Sequence, residues 1–419
     1  MMSPEQVNSM ASRLLGIGNI VGFLAGYIDL PKHLWWLGHT QFQILSALAC
    51  FALCSTVLLS AIFVPERDPT KEPPTYKPRL GLVSFFTRIF SSIKHLPPQT
   101  RNVCIVQFCA WIGLFPPLFY TTAFVADLYV QPYLEENPHM TPAELDELYE
   151  RATRVGTFAL LLYSVTSLAT NIILPSFIDP TFDNELIVSN TPDEAPGIIN
   201  AHKSERRDSK RWLVIPGLTL KRAWMISHIL FAASMFCAPF IRTVGAANAI
   251  IGIFGITWAM TLWAPWAIIS AEISQRDLLI RTQKQRLLRA AAIDQEGEGS
   301  ASAQGSRNDD AERLLQAEAE SNETGVIMGI HNMAIAAPQF IATIVCSLVF
   351  GMSEKPRGVP GDRSIAISFA VGGFFVFLAS FLVLRIRDDV PVGDTFATVE
   401  LGGGGSRAGG GDDADKGTD

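Results

Sequence analysis

The sequence predicts an all-α fold, a polytopic bundle of about eight transmembrane helices. Three observations predict it. Of the 419 residues, 48% are hydrophobic and only 17% are charged, less charge than a soluble domain of this size carries. The charges are also segregated: long runs hold almost none, and the stretches between them are dense in charge. The runs are about as long as the roughly 20 residues a helix needs to cross hydrocarbon, and none alternates like a barrel strand.

The runs fall at 14–30, 43–64, 103–125, 156–178, 223–243, 246–271, 325–350 and 364–386. The second, fourth, fifth and eighth are read as spans on length and hydropathy. The other four carry motifs.

The first, GIGNIVGFLAGYIDLP, is short and glycine-rich. Gly18, Gly22 and Gly26 recur every four residues beside Asn19, a stripe that predicts close approach of another helix. The third contains FPPLFYTT. Phe115-Pro116-Pro117 predicts a break near mid-membrane, with Thr121 and Thr122 after it.

The sixth reads GITWAMTLWAPWAIISAEIS. Thr257, Thr261 and Pro265 recur at helical spacing, with Trp258, Trp263 and Trp266 around them. Aromatic faces plus small hydroxyls suit a sugar, which offers apolar C–H faces and many hydroxyls; large apolar filler is the other reading. Glu272 ends this run, placed to pair with Arg276 at i+4. Beyond it, QRDLLIRTQKQRLLRAAAI reads either as a basic amphipathic helix on the membrane surface or as a solvated extension of the span.

The seventh begins GVIMGIHNMAIAAPQ. Gly325 and Gly329 form a second small-residue face. Asn332 and Gln339, seven apart, share one stripe, and His331 lies about 100° round the helix from Asn332. Pro338 frees a backbone carbonyl beside them. Such groups either line a cavity or hydrogen-bond between helices.

Lys and Arg set the orientation. The segments 65–101, 202–222 and 275–322 hold seven each. The opposite connections hold Lys32, then Arg151 and Arg154, then Arg242, then Lys355, Arg357 and Arg363. Both termini and the basic loops are therefore expected in the cytoplasm. Trp35 and Trp36 outside, and Trp212 and Trp224 inside, are expected at the interfaces.

Other functions are disfavoured. A net charge of −7, spread over loops and an acidic tail, offers no nucleic-acid face. The six cysteines lie in apolar runs without metal-ligand spacing, so no metal or cofactor is expected. No run pairs catalytic groups, so an enzyme is not expected. Asp29, Asp127 and Glu272 lie near span ends, and no acidic or basic residue occupies a span centre. No proton-coupling group is assigned.

GNIVGFLAGY, FPPLFYTTAFVADLY, GITWAMTLWAPWAIISAEI and GVIMGIHNMAIAAPQ, in this order, resemble stretches of the sucrose and α-glucoside proton symporters. These form part of the glycoside–pentoside–hexuronide branch of the major facilitator superfamily, and the fungal members are the most similar. G-x-x-x-G-x-x-N-x-x-x-x-x-P-Q is the most specific motif. The resemblance implies twelve helices in two halves, of which the runs here match helices five to twelve; the first four have no counterpart. It implies alternating access, with sugar bound between the halves and a proton carried along. It marks Asn19, Thr261, Pro265, Asn332, Pro338 and Gln339. With Trp258, Trp263 and His331 from the residue reading, the expected substrate-binding set is Asn19, Thr261, Trp258, Trp263, Pro265, His331, Asn332 and Gln339. Where plant relatives carry Asp after the proline, this chain has Thr121 and Ala123.

The expected organisation is then 1–64, the last two helices of an N-terminal half, and 65–102, a central cytoplasmic loop. Residues 103–387 form a C-terminal six-helix half with cytoplasmic loops 179–222 and 275–323, and 388–419 a disordered cytoplasmic tail. The expected partners are a disaccharide or α-glucoside, a proton and the lipid bilayer, in a plasma or vacuolar membrane. A non-transporting sugar sensor or partner-binding fragment is the alternative.

Overall fold

A computed structural model describes residues 4–63, 91–94, 96–178, 213–296 and 324–387. Every regular element among these is helical. The helices are α1 Pro4–Tyr27, α2 Leu30–His33, α3 Gln41–Phe63, α4 Pro98–Glu136, α5 Pro142–Ile173, α6 Leu220–Cys237, α7 Val244–Glu296, α8 Thr324–Ala336, α9 Pro338–Ser353 and α10 Ser364–Leu382. Among the described residues seven helical stretches are long and apolar enough to cross a membrane; the apolar part of α1, Arg13–Tyr27, is shorter. The fold is thus the expected all-α helix bundle.

The bundle is built on α4, the most buried of the spans. It packs against α5, α7, α8, α9 and α10; α10 also packs on α6, and α7 on α5 and α6. Without a hydrophobic drive between helices in lipid, close van der Waals approach holds them together. Four glycines set that approach. A Cβ on Gly113 would overlap the carbonyl oxygen of Gly372, joining α4 to α10, and one on Gly156 would meet the Thr122 carbonyl, joining α5 to α4. One on Gly255 would meet Tyr163 and Thr166, joining α7 to α5, and one on Gly373 would press Met235 of α6 at 2.9 Å.

The glycine stripes expected from sequence behave otherwise. Gly18, Gly22, Gly325 and Gly329 have nothing within 4 Å of a virtual Cβ. Instead, α1 lies on α5 through Gly16, facing Leu168 at 3.1 Å, and Gly26, facing Thr157 at 2.8 Å. An i, i+4 spacing shows that a narrow face exists, not which neighbour covers it.

Two further expectations are corrected. The Pro116-Pro117 pair does not break the third span, because α4 runs from Pro98 to Glu136. Packing buries residues 111–117 on all sides, and the Thr121 hydroxyl donates to the Pro117 carbonyl. In the seventh span Ala337, between α8 and α9, keeps helical dihedrals and donates its N–H to the Met333 carbonyl at 2.9 Å, so the span runs on past Pro338. Trp224 is no interfacial residue: it is fully buried, its ring 5.4 Å from that of His228. Trp35 and Trp36 are exposed, and Trp212 lies outside the described residues.

Residues 275–296 continue α7 as helix, the second of the two readings of QRDLLIRTQKQRLLRAAAI, an extension of the sixth span. Residues 65–90, 95, 179–212 and 297–323 of the expected loops, and the tail 388–419, lie outside the described residues.

Candidate sugar-binding corner

The start of α4 is fixed by the end of the apolar part of α7, Val244–Ser274. Buried Glu272 accepts hydrogen bonds from the Gln99 amide at 3.0 Å, the Thr100 amide at 2.6 Å and the Thr100 hydroxyl at 2.7 Å. A helix leaves its first amides unpaired and carries partial positive charge there, so a carboxylate is a matched partner. The sequence reading paired Glu272 with Arg276; the structure spends both carboxylate oxygens on α4 instead. Gln99 also exchanges hydrogen bonds with the Arg387 backbone, at 3.2 and 3.3 Å, tying in the end of the α10 segment.

This junction sets the register of α4 against α7 further in. Gln107 and Trp111, one turn apart, face Thr261 and Trp258. Pro265 has no N–H, so the Thr261 carbonyl four residues earlier has no partner within the helix. Gln107 Nε2 fills that place, donating to the Thr261 carbonyl at 3.3 Å. Three atoms remain buried and unpaired here: Gln107 Oε1, Trp111 Nε1 and Thr261 Oγ1. Their residues are 1%, 5% and 1% exposed. The Trp111 and Trp258 rings meet edge-on at 5.6 Å, and Tyr163 of α5 stands 6.0 Å from Trp258. Beside Tyr163, the Ser164 hydroxyl is also buried and unpaired.

A buried polar group without a partner costs about 1–3 kcal/mol, so several in one corner point to a guest. An acceptor, an indole donor and a hydroxyl beside aromatic faces are what a polyol needs.

The expected set does not converge on one place. Thr261, Trp258 and Pro265 share this corner. Thr257 is spent on packing, its hydroxyl donating to the Ser227 carbonyl of α6 at 2.8 Å. Trp263 is half-buried against the core. His331 is fully buried with its ring 4.6 Å from that of Trp266. Asn332 and Gln339 are both exposed and do not join the indoles. Asn19 is half-buried on α1, on the stripe of Gly26.

Gln107 and Trp111 escaped the sequence reading. The signal was present: a neutral amide inside an apolar run with an aromatic one turn on, the spacing that singled out Thr257 and Thr261.

A cavity of about 270 Å³ lies at the far end of α4, lined by Phe124, Asp127, Gln131, Arg242, Asp362 and Ala366 among others. None of the expected residues lines it. Among the described residues no His, Cys, Asp or Glu cluster could hold a metal, and the described cysteines are free thiols.

No family model matches the chain. It is 31% identical to a general alpha-glucoside permease of Schizosaccharomyces pombe over 90% of the chain and 66% of that protein. The chain is similar to sugar permeases. A sucrose transport protein of Oryza sativa is 22% identical over 91% of the chain and 59% of its own length. An MFS-type transporter of Talaromyces islandicus is 25% identical over 41% of the chain and 54% of its length. The chain thus spans less than two thirds of the length of these relatives. They are transporters rather than enzymes, and with seven membrane-crossing helical stretches the chain is a multi-pass membrane protein.

Proposed function

We propose that the chain carries sucrose or a related α-glucoside across a plasma or vacuolar membrane with a proton, by alternating access, as a fungal-type member of the glycoside–pentoside–hexuronide branch. The observation that carries the reading is the buried corner between α4, α5 and α7. Gln107, Trp111 and Thr261 hold unpaired atoms there beside the Trp258 ring. Vicinal sugar hydroxyls would pair with them, and a pyranose C–H face would lie on the indole. Similarity to an alpha-glucoside permease and a sucrose transport protein supports the same substrate class. The exposed amides of Asn332 and Gln339 would meet sugar, or a further helix, at a different stage of the cycle. Basic-loop asymmetry supports cytoplasmic termini.

The test is uptake of radiolabelled sucrose and maltose by the chain in proteoliposomes. Saturable uptake of one of them is expected, with T261V raising KM. No uptake from monodisperse, folded protein overturns the reading.

A further inference from the structure

The cavity of about 270 Å³ at the far end of α4 takes no part in the sugar-binding corner. The corner faces α5 and α7, whereas the cavity lies between α4, the segment that follows α6 and the start of α10.

Its depth in the membrane follows from the spans that meet there. The apolar stretch Leu220–Phe240 ends two residues before Arg242, and the stretch Ser364–Arg385 begins directly after Arg363. Both arginines line the cavity and are exposed. Asp127, half-buried on its wall, lies 28 residues beyond Gln99 on α4. That is about 42 Å along a helix, and a bilayer with its headgroups is about 40–45 Å thick. The cavity therefore opens at headgroup level, on the side opposite the Glu272 junction.

Charges of both signs surround it without pairing. Asp362 spends its oxygens on backbone: Oδ1 accepts from the Ser364 amide at 2.8 Å and Oδ2 from the Lys355 amide at 3.1 Å. Gln131 Oε1 accepts from the Gly361 amide at 2.6 Å. Gly361 has φ 85°, a conformation that favours glycine, and its turn brings Asp362 and Arg363 to the wall. Among the described residues, Asp127, Arg242 and Arg363 enter no ion pair. Opposite charges around one recess that do not meet each other suit a guest that carries both. Toward mid-membrane, α6 and α10 expose Phe236, Phe374, Phe377 and Phe381, and the rings of Phe236 and Phe377 adjoin at 6.5 Å.

We infer that this cavity seats the headgroup of a phospholipid whose phosphate carries a primary amine. The guanidiniums of Arg242 and Arg363 hold the phosphate, because their planar forks match its oxygens. Basic recesses between transmembrane helices take lipid headgroups in this way. The two-carbon amine donates to the unpaired Asp127 carboxylate, with Asp362 beside it. The acyl chains lie along the phenylalanines of α6 and α10. The order of groups in the lipid is tail, phosphate, amine. The protein offers the same order: an apolar strip on α6 and α10, arginines at the ends of those spans, and Asp127 on the central helix. A sugar brings no charge to either arginine. A trimethylammonium has no N–H for Asp127, and a glycerol headgroup leaves Asp127 without a cation.

A ligand that binds only the folded chain raises its melting temperature. The purified chain is melted in mixed micelles holding phosphatidylethanolamine, phosphatidylcholine or phosphatidylglycerol with identical acyl chains, and unfolding is followed by intrinsic fluorescence. Phosphatidylethanolamine is expected to raise the melting temperature about 2–4 °C above the other two. D127N is expected to erase that difference, as is the double variant R242Q/R363Q. E136Q, whose side chain lies off the cavity, is expected to keep it. Equal melting in the three lipids, or a difference that survives D127N or the double variant, overturns the inference. Should D127N fail to fold, the double variant decides, since both arginines are exposed. Soluble O-phosphoethanolamine, the same zwitterion without tails, is expected to give no shift at the lipid's concentration. A shift as large as the lipid's would remove the lipid as occupant. A sucrose-dependent shift that D127N abolishes would give the cavity to sugar and likewise overturn the inference.

Discussion

Glu272 and Thr100 form the tightest polar junction between the two helices that build the site. The carboxylate takes both the amide and the hydroxyl of Thr100, at 2.6 and 2.7 Å, and adds the Gln99 amide. It thereby pins the end of the α7 span to the start of α4, 7 residues before Gln107 on α4 and 11 beyond Thr261 on α7.

E272A is expected to lose hydrogen bonds to a charged group, each contributing about 1.5–3 kcal/mol, and to lower the melting temperature clearly. E272Q keeps an acceptor and should lose about half as much. R276A should change stability by less than about 0.5 kcal/mol, since Glu272 is already engaged. Thermal unfolding in detergent followed by intrinsic fluorescence measures all three. A larger loss in R276A than in E272A would restore the i+4 pair.

The close helix contacts predict a sharp split among glycines. G255V drives a side chain into Tyr163 and Thr166, and G113A one into the Gly372 carbonyl; overpacking of this kind costs about 1–3 kcal/mol or more. G18A and G22A face open space and should leave the melting temperature within a degree or two of the parent. Size-exclusion monodispersity and melting curves separate the two groups.

Pro265 should trade stability for function. Replacing it by alanine restores an N–H and competes with Gln107 for the Thr261 carbonyl, while removing a helix-interior proline that costs about 3 kcal/mol elsewhere. P265A is therefore expected to melt higher and transport more weakly. W111F keeps the ring and deletes the unpaired N–H; loss of one neutral hydrogen bond of about 0.5–1.5 kcal/mol raises KM roughly two- to tenfold. T257V, whose hydroxyl serves α6, should lower stability and leave KM unchanged. Concentration-dependent uptake beside melting curves tests the set.

An ion pair ties the turn between α1 and α2 to α5. Arg154 Nη1 lies 3.0 Å from Asp29 Oδ2, which Lys32 also holds at 3.0 Å. The Lys32 hydrogen bond, with the charge of Arg154 beside it, keeps the Asp29 carboxyl below the usual carboxylate range. The folded value lies under the unfolded one, so the stabilisation is whole above about pH 4 and fades as pH falls through the lowered value. D29N should thus lower the melting temperature equally at pH 7 and pH 5, and the difference should shrink below pH 4. The groups are partly exposed, so high salt should weaken the pair. A D29N effect that grows on acidification would exclude this account.

Much of the fold was legible because hydropathy and length are local properties. Eight apolar runs gave eight helical segments among the described residues, the seventh running on past Pro338. Pro116-Pro117 did not break its helix, because packing on every side of α4 overrides the missing amides. Within the site, Pro265, Thr261 and Trp258 could be read from spacing along one helix. Gln107 could not be joined to them, because the bond it makes crosses 154 residues of sequence.

The sequence by itself determined the all-α membrane class and the places of the apolar runs that became helices, since each follows from matching short stretches to the thickness and polarity of a membrane; it did not determine how far α4, α5 and α7 extend past those runs. Only the tertiary structure decided which polar atoms stay unpaired. A side chain's partner lies on another helix, and Thr257 and Thr261, alike in sequence, differ because one hydroxyl meets the Ser227 carbonyl and the other is buried without a partner.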